Sequence, residues 1–99
     1  MTKKEQDQHF KEFTERMKEI LDRKGDDYSG KDRLSVFKTT AQICHTTPEM
    51  VVLDKIVTKV ARLGTLFTSS KAPNNESIED NIVDLANYVL LLDQVNKDK

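Results

Sequence analysis

Five acidic side chains, Glu76, Glu79, Asp80, Asp84 and Asp93, stand in a stretch that holds no Lys or Arg between Glu76 and Asn96. Glu76, Asp80 and Asp84 follow one another at steps of four, which on a helix puts them on one face, where each like-charge pair costs roughly 0.2–0.5 kcal/mol. Acids in a first helical turn complement the dipole, and this accounts for Glu76, Glu79 and Asp80 but hardly for Asp84, one turn further in. Carboxylate oxygens hold magnesium, usually one or two of them together with the phosphates of a bound substrate. Asp80 and Asp84, with Glu76 as a third, are therefore the candidate metal ligands. A magnesium ion held there would lower the pKa of an attacking water and offset charge on the phosphates.

The counter-charge nearest in kind is the stripe Lys55, Lys59 and Arg62, which gathers on one side of the preceding helical segment. Lys59 and Arg62, three apart, share a face and suit phosphate oxygens, Arg62 in a bidentate manner. An equally plain alternative is an ion pair between Arg62 and Asp84 with no ligand at all. Asn87 and Leu91 continue the line of Asp80 and Asp84, with Tyr88 to the side, so this face meets either another helix or a ligand. Tyr28, in the turn-rich run Gly25-Asp-Asp-Tyr-Ser-Gly30, is placed to stack on a base. His9 and His45 have no metal-ligand spacing, and Cys44 reads as a buried, inert thiol on an apolar helix side.

The elements that must position these residues are helices. Apolar residues recur at helical spacing in four segments, predicting helices near 3–24, 32–44, 48–68 and 77–95 and no sheet. Thr2 with Glu5 has capping-box spacing, and Thr47-Pro48 sets a cap followed by proline at the first helical position. The expected core stripes are Phe10, Phe13, Met17, Ile20 and Leu21 on the first helix and Ile78, Ile82, Leu85, Val89 and Leu92 on the fourth. Helix three is apolar over most of its circumference, which makes it the central helix and predicts an apolar interface between subunits. The fold class is all-α: one bundle-like, four-helix domain over 1–99, oligomeric, with a frayed tail at 96–99.

With 99 residues, Lys+Arg 16 against Asp+Glu 17 and a net charge of -1, the chain is one modest domain without the surplus positive charge that bulk nucleic-acid binding needs. Its single Cys allows no internal disulfide. The charged N-terminal stretch and the absence of a long apolar run predict a cytoplasmic protein with no membrane segment.

Taken in order, Asp27-Tyr28, Lys59-Val-Ala-Arg62-Leu63 and Glu76-Ser-Ile-Glu-Asp80-Asn-Ile-Val-Asp84-Leu-Ala-Asn87-Tyr88 resemble a phage-associated helical group, the nucleotide modification associated domain one group and its uncharacterised phage relatives. The resemblance runs from about residue 24 to 92. It is distantly similar to the all-α, MazG-type nucleoside triphosphate pyrophosphohydrolases, helical oligomers that use magnesium on helix-borne carboxylates. It implies a phage protein in the host cytoplasm that binds a nucleotide through Asp27, Tyr28, Lys55, Lys59, Arg62, Asn87 and Tyr88, with magnesium on Asp80, Asp84 and Glu76. MazG-type enzymes carry a Glu-Glu pair and a Glu-x-x-Asp, whereas this chain has no Glu-Glu and reads Asp80-x-x-x-Asp84. The expected function is therefore nucleotide binding or sequestration, including a sponge for a host defence signal. Magnesium-dependent pyrophosphohydrolysis and a plain protein-interaction module are the alternatives.

Overall fold

The structure is a computed structural model that describes residues 1–28, 32–69 and 75–98, with the backbone alone for 26–28 and 75–77. It has four helices, α1 (Lys3–Tyr28), α2 (Ser35–Ile43), α3 (Pro48–Thr68) and α4 (Asn75–Lys97), and no strand among the described residues. The caps read from the sequence are in place. Glu5 N donates to Thr2 Oγ1 at 3.2 Å, and Met50 N donates to Thr47 Oγ1 at 3.2 Å with Pro48 in the first turn of α3. His45 sits in the connecting turn at φ 54.

Boundaries differ from expectation in α1, α2 and α4, the last running Asn75–Lys97 where 77–95 and a frayed tail from 96 are expected. α1 does not stop at Lys24 with Gly25 as a left-handed cap; it carries Gly25 in its interior and continues to Tyr28. The reason is contact from outside the helix. The Arg33 guanidinium lies against Gly25, where a Cβ would collide with it, and donates to the Asp22 carbonyl at 3.5 Å. Gly25 thus serves close approach instead of chain reversal. α2 begins only at Ser35, after a turn in which the Asp32 carboxylate accepts from Leu34 N at 2.9 Å and from Lys38 Nζ at 2.6 Å. Lys38 also donates to Asp98 at 2.9 Å, which ties α2 to the end of α4.

α3 and α4 form the frame. They run antiparallel, with Val52 in one cluster with Val95 and Lys59 reaching Asn81 and Asp84 two turns along. α2 packs on α3 and α1 on α4. The core is small, Leu34, Val52 and Val95 with Phe37, Ile56, Tyr88, Leu91 and Leu92 packed around them. At about 100° per residue, the inward residues of α3 and α4 leave α1 and α2 on one side of the pair. The opposite side is bare.

Several expected core positions are corrected by this arrangement. Phe10 is exposed while Phe13, Met17, Ile20 and Leu21 are only half-buried, because α1 touches the frame along its second half. On α4 the buried residues are Asn81, Val83, Asn87 and Val95, whereas Ile82 and Val89 of the expected stripe are exposed. Cys44, expected to be buried, is exposed at the end of α2. No described helix is long and apolar enough to cross a membrane.

Replacing Val52, which is fully buried, by Ala should cost about 2 kcal/mol. Phe10→Ala should stay within about 0.5 kcal/mol of wild type. Urea unfolding followed by circular dichroism distinguishes them, and equal losses would contradict the assignment of the core.

Candidate functional site

Asp84 is where three helices meet. Its carboxylate accepts from Lys59 of α3 at 3.0 Å and from Lys24 of α1 at 3.3 Å, with the Lys59 and Asp84 side chains only 16% and 19% exposed. Lys59 also donates to Asn81 Oδ1 at 3.4 Å. Burial pushes the Asp84 carboxyl up, but the hydrogen bond from Lys59 and the charges of Lys24 and Lys59 outweigh it and hold the group below its usual value. One turn earlier, Arg16 of α1 pairs with Asp80 and lies 3.8 Å from Glu79. Asp80 and Asp84 are therefore compensated from α1 and α3, a separate set of cations for each, while Asp93 pairs with Lys97 of α4 itself.

Beside this junction lies a cleft of about 750 Å³ between α1, α4 and the start of α2. Its walls are mostly apolar, from Ile20, Leu21, Leu34, Phe37, Tyr88 and Leu91, and its charged lining is Lys24, Arg33 and Lys55 against Asp22 and Asp84. Lys55 makes no ion pair among the described residues. Asn87 also lines the cleft and is 5% exposed. Its Nδ2 donates to the Met17 carbonyl at 3.1 Å, which fixes the amide's orientation, and its Oδ1 is buried with no hydrogen-bond partner among the described residues. A buried acceptor left unmet costs free energy, so this atom asks for a donor.

The structure brings Lys55, Asp84, Asn87 and Tyr88 together in this cleft and places Lys59 behind Asp84. It does not bring Arg62 there. The ion pair expected between Arg62 and Asp84 is replaced by Lys59 and Lys24, because Lys59 faces α4 and Arg62 is exposed. Asp80 lies in an adjoining shallower groove with Arg16, Arg23 and Lys24. The side chains of Asp27, Tyr28 and Glu76 lie outside the described residues. Among the described residues no three His, Cys, Asp or Glu side chains converge on a metal position.

Sequence reasoning missed Arg16, Lys24, Arg33 and Phe37. Arg16 reads as an ordinary surface charge within a mixed helix, and Lys24 as a cation suited to the negative end of the first helix. The available signal was on α4, where an acid inside the helix with no local counter-ion requires a cation from a neighbouring element.

The Asp84 pairing gives a pH dependence with a definite sign. A carboxyl whose pKa is depressed on folding adds stability that is present above its unfolded value, about 3.9, and is lost as pH falls through the folded one. Thermal melts from pH 7 down to pH 3 should show wild type losing stability below about pH 4. Asp84→Asn should start lower at neutral pH and lose less on acidification; parallel curves would contradict the pairing.

Compared with known proteins, the chain matches no protein family, no curated protein and no solved structure.

Proposed function

We propose that the cleft binds a nucleotide and that the protein acts by binding it, not by turning it over. The observation that carries this reading is Asn87 Oδ1, a buried acceptor without a partner among the described residues, in the wall of a cleft lined by Lys24, Arg33 and Lys55 against Asp22 and Asp84. A base amino group or a sugar hydroxyl would supply the missing donor. Phe37, Leu34, Tyr88 and Leu91 offer an apolar wall to a base, and Lys55 and Arg33 offer charge to phosphates. The cleft volume suits a ligand of that size.

Binding is favoured over hydrolysis by the state of the acids. Asp84 is shared by two lysines and Asp80 is paired with Arg16, so both carboxylates carry cations already. This donor set does not fit a resident magnesium ion. In this reading the ion arrives with the phosphates, if at all, and no catalytic step is assigned to it. A phage-encoded nucleotide sponge is one role that such a binder would fill.

Isothermal titration with nucleoside triphosphates, cyclic dinucleotides and the parent nucleosides, each with and without magnesium, tests the proposal. Saturable binding is expected, stronger for the phosphorylated forms. Lys55→Ala should weaken it by about 1.5 kcal/mol, a charge-assisted hydrogen bond's share. Asn87→Leu should erase discrimination between bases. No heat with any nucleotide, or full affinity in both variants, would overturn the reading.

A further inference from the structure

The bare side of the α3–α4 pair carries a second feature, unconnected with the cleft. Met50, Leu53, Val57, Val60, Gly64 and Phe67 follow one another on α3 at steps of 3, 4, 3, 4 and 3, the spacing of a coiled-coil seam. All five side chains are solvent-exposed, Val57 at 59% and Phe67 at 64%. A solvated face does not need a seam. Ile82 and Val89 of α4, which the antiparallel packing turns to the same side, are exposed as well and widen the apolar strip.

Gly64 is the telling position. A glycine inside a helix weakens it relative to alanine, and here a Cβ would meet nothing within 4 Å. Among the described residues nothing accounts for its being glycine, whereas a partner side chain seated against the helix would.

The step pattern reads the same from either end, so the seam can pair with an inverted copy of itself in register. Inversion sets Val57 against Val60, Met50 against Phe67 and Leu53 against Gly64. A large residue then meets the smallest one, as knobs-into-holes packing asks. Two-fold pairing of one patch with itself is the commonest form of self-association.

The chain as a whole is more open than a compact monomer of its mass. The accessible surface is 7396 Å², whereas a folded monomer of 11.4 kDa exposes about 5,800 Å². The radius of gyration, 15.5 Å, likewise exceeds the about 13 Å expected of a compact domain this long.

We infer that this face binds a second copy of the chain, α3 against α3 in antiparallel two-fold register, with Gly64 receiving the partner's Leu53. Because the cleft opens on the opposite side of the pair, both cavities stay accessible in the dimer.

Sedimentation equilibrium and oxidative cross-linking test it with the full chain. Wild type should sediment at twice the 11.4 kDa chain mass. Val57→Glu, which sets like charges beside the two-fold axis, should sediment as a monomer with its helical circular dichroism kept. In a Cys44→Ser background, a mixture of Leu53→Cys and Gly64→Cys chains should form a disulfide-linked dimer that neither forms alone. These cysteine variants keep the proposal testable should the glutamate variant not fold. Wild type monomeric at every concentration, an unchanged dimer in Val57→Glu, or self-cross-linking of Leu53→Cys alone without the mixed product would overturn it.

Discussion

Asp84 accepts hydrogen bonds from Lys24 of α1 and Lys59 of α3 while sitting in α4, so one carboxylate joins three of the four helices. Each lysine alone would be an ordinary ion pair of small worth. Sharing one half-buried acid, they set the separation of α1 from α3 and hold open a wedge bounded by α1, α4 and the start of α2. The cleft is that wedge. Its depth comes from α1 resting on α4 through polar contacts, Asn87 to the Met17 carbonyl and Arg16 to Asp80, without an apolar seam drawing it down onto α3.

This construction explains why half of the fold was legible in the sequence. Helix positions followed from periodicity, and Thr2, Thr47 and Pro48 marked two starts, because caps are local chemistry. Gly25 misled because its local preference is for a turn, while its reason in the fold is the Arg33 guanidinium arriving from another segment. Helix four misled more deeply. Its apolar line through Ile82 and Val89 has core spacing, yet the side facing α1 and α3 is the one with Asn81, Asp84 and Asn87. Periodicity reports which residues share a face and not which neighbour that face meets.

The same limit governed the site. Asp84, Asn87 and Tyr88 stand on an oddly composed face of helix four and, with Lys55 of the cationic stripe on helix three, line one cleft. Arg62 was chosen by proximity in type to the acids, and Lys59, one turn away, takes that place. Arg33 and Lys24 had no local oddity to mark them, since their importance comes from the way α1 leans on α4 and α2 begins beneath it. The two sides of the α3–α4 frame thus carry different chemistry, a cleft that sets Asp84 and Asn87 among apolar walls on one and an exposed apolar strip on the other.

The central claim is that the wedge is a ligand site organised around Asp84 and Asn87, and nuclear magnetic resonance tests it most directly. A nucleoside triphosphate titrated into ¹⁵N-labelled protein should move the Asn87 side-chain amide together with the backbone amides of Leu21, Leu34 and Tyr88, leaving those of Leu53, Val57 and Val60 in place. Shifts confined to the α3 strip, or an Asn87 amide unmoved at saturation, would contradict the account.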